Sequence, residues 1–276
     1  MILGLLVMNS QIAFATWSSI RNFNSKSDLA RWIEAGRRKG QTEFNFTLTN
    51  MSVTAEEISN EIAIDAGGRG GFVSGHFTYI VNELPGTRVA NAYLSGDKSK
   101  LTAEELQLYN VAVTIVNEAK SKYGTPKADE LYFHNEICKR ATPISVGDKN
   151  RYYPDGNGDY VRDKNGNRKM NPSCTAIGAL INGKANCSGY SDAFYMLCRM
   201  RNLNVVRVGG RQIGGNGHAW NAIKFSGIEG WSGLDDGKVY FVDVLWDDQE
   251  GNYSTRFFNQ SEEVFRQEHS WNYVGL

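Results

Sequence analysis

The sequence predicts an α+β fold, and three stretches in its C-terminal half carry that expectation. After Ser188, Ala193, Phe194, Leu197 and Cys198 recur at the spacing of a buried helix face. Gly217 to Phe225 alternates polar and apolar residues as a strand does, and Val239 to Trp246 alternates in the same way. The simplest arrangement of the two strands is an antiparallel hairpin around the Ser226 to Asp235 loop. At 276 residues the chain can hold one large domain or two modest ones.

The N-terminal elements follow in order. Met1 to Ala15 contain an apolar stretch, Ile2 to Met8, and an Ala13-Phe14-Ala15 ending that fits the small-x-small rule of signal-peptide cleavage. A secreted or cell-surface protein starting at Thr16 is therefore expected. Ser27-Asp28 before Leu29, Trp32 and Ile33 reads as a capped helix start, and Glu43 to Leu48 alternates as a strand. Thr54 with Glu57 forms a capping box for a helix through Ile58, Ile62 and Ala63, which the glycines from Gly67 to Gly71 end. Strand-like stretches near Phe72 to Val81 and Val89 to Leu94 follow, separated by Pro85-Gly86. A long helix capped by Thr102 with Glu105 runs to about Tyr123 and is closed by Gly124-Thr125-Pro126. These elements predict a small α+β subdomain over residues 16–126 and a second domain over 127–276.

The second domain opens with a helix through Leu131, Phe133, Ile137 and Cys138 and a polar stretch, Asp148 to Asn171. A calcium loop starting at Asp155 fails because Tyr160 stands where the turn needs Gly, so an Asn165-Gly166 hairpin between Tyr160 and Met170 is the better account. Gly178 to Ala185 has phosphate-loop spacing, but Ala185 lacks the hydroxyl that would hold Mg²⁺. The glycines from Gly209 to Gly217 precede a strand and cannot aim a helix N-terminus at a pyrophosphate.

Thirty basic residues against thirty acidic ones leave no global field for nucleic acid, and after residue 15 no 18-residue apolar run could span a bilayer. The four cysteines form no C-x-x-C pair. His134 and Cys138 have helical i, i+4 spacing and could join Cys174 at a metal, yet a clear fourth ligand is lacking. No metal and no cofactor are expected.

What remains is a nucleophile with its helpers. Cys187 lies at or just before a helix N-terminus, where unpaired N–H groups and the helix dipole favour thiolate. His218, Trp220, Ala222 and Lys224 share one face of their strand. Asp243 lies between Phe241 and Leu245 on the same face, an inward carboxylate that needs a partner. Pairing positions that sum to 461 would set His218 opposite Asp243. A thiol, a base and an orienting acid are the parts of covalent acyl transfer.

These residues carry a family resemblance. Cys187-Ser-Gly-Tyr-Ser-Asp-Ala-Phe194, His218-Ala-Trp-Asn221 and Val242-Asp-Val-Leu-Trp-Asp-Asp248 make Thr175 to Asp248 resemble the transglutaminase-like superfamily, with a looser likeness over Leu131 to Thr175. The resemblance implies a papain/transglutaminase-like core, a catalytic helix packed on an antiparallel sheet. It puts Cys187, His218 and Asp243 at the catalytic positions, and a small α+β subdomain before such a core is similar to some secreted bacterial members. Members place a Gln, Trp or Tyr upstream of the Cys as oxyanion donor; with no Gln or Trp between Pro126 and Cys187, Tyr152 or Tyr153 would serve. Calcium dependence is not expected.

The implied activity is acyl transfer or hydrolysis at a carboxamide or peptide bond of a protein or peptide, as in a transglutaminase or cysteine protease. The competing expectation is a silent cell-surface binding or scaffolding module of the same fold. With Cys187 held as the free nucleophile and Cys198 eleven residues along the helix, Cys138 and Cys174 are the pair left for a disulfide in an exported chain, the alternative being that both stay free thiols.

Overall fold

The structure, a computed structural model, describes residues 20–38, 41, 43–51, 69–73, 76–80, 83–146, 150–157, 160–164, 169–215, 217–225, 237–248 and 253–271. The expected signal segment, the Thr54–Glu57 helix start and the Asn165-Gly166 tip lie outside these residues. The chain is α+β, as the sequence predicts. Among the described residues no helix is long and apolar enough to cross a membrane.

The N-terminal part is a four-stranded sheet in the order β1-β2-β4-β3. It comprises β1 (Arg21–Phe23), β2 (Glu43–Leu48), β3 (Arg69–Val73) and β4 (His76–Ile80), with β1 parallel to β2 and the other pairs antiparallel. The stretch read as one strand from Phe72 is two: Val73 pairs with His76 and Arg69 with Ile80, on either side of the Ser74-Gly75 turn signal. Helix α1 (Lys26–Arg38) starts earlier than the Ser27-Asp28 reading, with Ser25 Oγ accepting the Asp28 N–H at 3.3 Å. Its Trp32 meets Phe44 edge-on, ring centroids 5.3 Å apart.

Val89 to Leu94, expected as a strand, belongs instead to helix α2 (Pro85–Ser95). Pro85 at the first turn presets φ for a helix, the alternation came from alanines that favour one, and Gly96 closes it in the left-handed conformation at φ 78°. Helix α3 (Ala103–Lys122) carries the expected capping box, Thr102 Oγ1 taking the Glu105 N–H and Glu105 the Thr102 N–H. Helix α4 (Pro126–Arg140) and helix α5 (Cys187–Met200) complete this layer. Val89, Leu108, Ile115, Phe133, Ile137, Phe194 and Leu197 from these four helices share one buried core, which runs across Pro126, where the sequence suggested a boundary.

Two short parallel strands, β5 (Thr142–Pro143) and β6 (Lys184–Ala185), lead into the start of α5. The second sheet has the order β10-β9-β8-β7-β11 and is antiparallel throughout. It comprises β7 (Asn204–Gln212), β8 (Gly217–Lys224), β9 (Val239–Val242), β10 (Gln260–Ser261) and β11 (His269–Ser270), joined by the one-turn helices α6 (Val244–Asp247) and α7 (Glu262–Phe265). Helix α5 packs against β7 and β8, which brings its N-terminus to the sheet.

The β8–β9 register corrects the expectation. Asn221 pairs with Val242 and Lys224 with Val239, two residues off the pairing that would face His218 with Asp243. A shift of two leaves every side chain on its expected face. The ladder stops at Val242 because the Asp243 N–H turns away to the Phe257 carbonyl at 3.0 Å and its side chain caps α6. The expected strand to Trp246 is therefore cut short.

Gly210 on β7 is where the C-terminal strand can come close: a Cβ there would lie 2.3 Å from the Ser270 carbonyl oxygen and 2.5 Å from the Trp220 ring. Gly210→Val is expected to destabilise the fold by about 1–3 kcal/mol through overpacking. Chemical denaturation measures this, and an unchanged midpoint would mean that β11 yields freely.

Candidate active site

Asn186 caps α5, its Oδ1 accepting the N–H groups of Ser188 (3.0 Å) and Gly189 (3.2 Å). Cys187 is thus the first helical residue, as its sequence setting suggests, with the positive end of the dipole beneath its sulfur. Gly189 lets this helix start approach its neighbours, since a Cβ would lie 2.8 Å from both Ala185 Cβ and the Ser173 carbonyl oxygen. Eleven residues along, Cys198 is buried in the core.

His218 leaves β8 toward this thiol. Its Nε2 lies 2.6 Å from Asp243 Oδ2, which leaves the other ring nitrogen for Cys187. Asp243 uses Oδ1 to cap α6 at the Trp246 N–H, 3.2 Å away. Trp246 stacks on the His218 ring at 5.2 Å, so apolar surface flanks the imidazole. The predicted Cys187, His218 and Asp243 therefore meet, although by a register the sequence did not suggest.

The electrostatics follow from these contacts. Burial opposes ionisation of Cys187, but the hydrogen bond and charge of His218 and the Ala219 N–H pull the thiol below its ordinary value. Burial disfavours the imidazolium too, yet Asp243 and Cys187 raise His218 to about 10. Burial likewise works against the Asp243 carboxylate, and the charge and N–H of His218 and the N–H of His269 bring it to about 2.

A thiolate–imidazolium pair at neutral pH accounts for all three directions. Iodoacetamide should therefore alkylate Cys187 rapidly at pH 7, where an ordinary thiol of pKa about 8.5 is only a few per cent ionised. The lowered Cys187 value and the raised His218 value act on stability with opposite signs and offset each other between about pH 6.5 and 8.5, the unfolded histidine and thiol values, so the net loss comes above that range and is due to His218. Its contribution is fully present below about pH 6.5, the unfolded histidine value, and is lost as pH rises through about 10. Denaturation midpoints across pH 6–10 test this, and a midpoint rising through that window would contradict it.

Four residues near the site were not assigned from the sequence. His269 Nε2 lies 3.0 Å from Asp243 Oδ2, the oxygen that His218 also uses. Buried Arg207 donates to Ser188 O (3.2 Å), Ser188 Oγ (3.0 Å) and Ser191 Oγ (3.1 Å), and Arg151 Nη2 reaches Ser188 Oγ at 3.5 Å. Two guanidinium groups thus converge on the residue after Cys187. Asp192, fully buried, accepts the N–H groups of Gly86 (3.1 Å) and Ala176 (2.9 Å), tying α2 to α5. Only Asp192 had a signal, an acid on the buried side of the helix pattern.

Other motif residues are structural. Asp247 meets His134 Nε2 at 3.2 Å and takes the Ser254 hydroxyl and the Phe257 N–H, while Asp248 takes the Tyr190 hydroxyl. His134, Cys138 and Cys174 do not assemble a metal site: His134 serves Asp247, Cys138 Sγ lies 3.7 Å from the Val244 carbonyl, and Asn186 donates to Cys174 Sγ. Cys138 and Cys174 are both free thiols, against the expected disulfide, because their helices carry them to these separate partners. His218, Asp243 and His269 could bracket an ion, but the 2.6 Å separation of Nε2 and Oδ2 is hydrogen-bond spacing, too short for two ligands of one tetrahedral ion.

Tyr153 is exposed beside Lys169, and Tyr152 packs on Tyr160 at 5.3 Å within the Leu84, Met170 and Cys174 cluster. Arg151, their neighbour in sequence, reaches Ser188 of α5 with its side chain. The Tyr160 to Met170 hairpin is bonded through the Lys169 N–H to the Val161 carbonyl at 2.6 Å.

No family model matches the chain, and no curated protein does. Among solved structures, one described as a TGase is 14% identical over 81% of this chain and 55% of its own, with TM-score 0.36. A candidate protease from Parabacteroides distasonis is 7% identical over 74% of this chain and 43% of its own, with TM-score 0.30. The chain spans about half the length of these structures.

Proposed function

We propose that the protein is a cysteine-dependent acyl-transfer enzyme acting on a carboxamide or peptide bond of a protein or peptide. The observation that carries the reading is the hydrogen-bonded chain from Asp243 through His218 to Cys187 at a helix N-terminus. In this reading the Cys187 thiolate attacks the carbonyl carbon, forming the C–S bond as the carbonyl π pair moves to oxygen. The backbone N–H of Cys187, at the helix start, is the donor for the negative charge that develops on oxygen, and Arg151 and Arg207, both bonded to Ser188, add positive charge to the neighbourhood. Collapse breaks the C–N bond, His218 gives its proton to the departing amine, and a thioester remains. His218 then takes a proton from an incoming amine or water, which attacks the thioester and returns the Cys187 thiolate. The Ala13-Phe14-Ala15 segment supports a secreted or cell-surface location.

The test is incubation with a glutamine-containing protein, with and without a labelled primary amine, read by mass spectrometry. Amine incorporation, deamidation or chain cleavage is expected, each abolished by prior alkylation of Cys187. Folded protein that gives none of the three, and whose Cys187 alkylates no faster than a free thiol, would overturn the reading.

A further inference from the structure

His269 stands fully buried, 26 residues beyond Asp243 in sequence, on the edge strand β11 that Gln212 of β7 holds in place. Its ring lies in an aromatic enclosure: Phe265 stacks on it at 3.8 Å and 12°, Trp246 lies at 4.3 Å and Trp220 meets it edge-on at 4.9 Å. A polar ring in such surroundings needs a reason, since apolar residues would pack there at no desolvation cost. Its two nitrogens each meet an acceptor: Nδ1 lies 3.3 Å from the Phe265 carbonyl oxygen, which holds the ring in its enclosure, and Nε2 lies 3.0 Å from Asp243 Oδ2.

That oxygen has two lone-pair directions, and it meets two imidazoles, His218 at 2.6 Å and His269 at 3.0 Å. The other oxygen takes the Trp246 N–H at 3.2 Å. Rotation of the carboxylate about its Cβ–Cγ bond would break all three contacts at once. Asp243 is itself almost fully buried, so water has no ready access to replace a lost donor. The aim of the carboxylate, and through it the tautomer and orientation of His218, therefore depends on both imidazoles.

We infer that His269 is a positioning residue: its Nε2–H locks the Asp243 carboxylate in the plane that orients His218 toward Cys187. The site is then a chain of four residues, closed by the C-terminal strand rather than by β8 and β9 alone. The titratable groups around His218 are Cys187 from α5, Asp243 at the end of β9 and His269 from β11; the remaining close side chains, Trp220 and Trp246, are aromatic. This inference rests on the reading of Cys187 as an activated nucleophile.

Two variants separate donor from packing. His269→Phe keeps a ring in the enclosure and removes the N–H, whereas His269→Gln keeps an N–H donor and loses the stacking. The expected result is that Phe leaves the thermal midpoint within a few degrees yet slows Cys187 alkylation by iodoacetamide at pH 7 by about ten- to a hundredfold, the range set by a hydrogen bond to a charged group. Gln is expected to lower the midpoint but to alkylate within about threefold of wild type. The reverse pattern, fast Phe and slow Gln, would make His269 a packing residue and overturn the inference, as would equal rates in all three proteins.

Alkylation is read at the Cys187 peptide by mass spectrometry, which separates it from the three buried thiols. If the wild-type Cys187 itself reacts like a free thiol, the functional reading fails first; a fast wild type with an equally fast Phe variant fails only His269. In wild-type protein, ¹⁵N-histidine NMR at pH 7 should also find the proton on His269 Nε2, and an unprotonated Nε2 would overturn the inference whether or not the variants fold.

Discussion

Cys187→Ala is expected to give a folded protein that turns over nothing. Losing the nucleophile of a triad removes about 10⁶-fold in rate, because the remaining members cannot form the covalent intermediate. Stability should change little. Cys187 is half-buried at the first position of α5, alanine is the best helix former, and the cap on Ser188 and Gly189 comes from Asn186. The substitution also removes the anion that helps to raise His218, so the imidazole should titrate at lower pH in the variant. Histidine NMR reads that shift independently of any substrate. Activity above about one per cent of wild type would remove Cys187 from the mechanism.

Arg207 is a further long-range part of this neighbourhood. It is a buried guanidinium that spends its donors on Ser188 and Ser191, one turn of the same helix, so its positive charge is fixed beside the helix start. Its strand position shows only a basic residue between Val206 and Val208 of β7.

The parts of the site that were legible in the sequence are those set by local pattern. Cys187 at a helix start follows from the 3.6-residue periodicity of Ala193, Phe194 and Leu197, and the inward faces of His218 and Asp243 follow from alternation, which survives a register shift of two. The capping box at Thr102 is local in the same sense. What sequence could not give was whatever depends on long-range closure. His269, Arg207 and Arg151 reach the site from segments whose own pattern is uninformative, and no spacing rule joins residue 269 to residue 243. The misread Val89 to Leu94 shows the opposite failure. Alternation alone suggested a strand, while Pro85 at the first turn and Gly96 after the last one were the helix signals that decided the outcome.

Asp243→Asn carries the second large effect, and its direction follows from counting donors. The carboxylate accepts three N–H groups: His218 and His269 at Oδ2, and Trp246 at Oδ1. An amide has one oxygen to offer. With that oxygen at the δ2 position, the NH₂ faces the Trp246 N–H and the cap of α6 is lost; with it at δ1, the NH₂ confronts both imidazoles. His218 can accept from that NH₂ only by moving its proton to the nitrogen facing Cys187, where it can no longer act as a base toward the thiol. In a serine triad the same wrong tautomer costs about 10⁴-fold in kcat, and a loss of that order is expected here, together with slow alkylation of Cys187 at pH 7. Each stranded buried donor should further cost about 1–3 kcal/mol of stability. The pH dependence has a definite sign. The wild-type carboxyl is held at about 2, below the ordinary 3.8, so its contribution is present above about pH 4 and is lost as pH falls through about 2. The amide of the variant has no such proton to bind, and the stability gap between the two proteins should therefore narrow on acidification. A variant with wild-type alkylation rates would show that His218 finds its orientation without the acid.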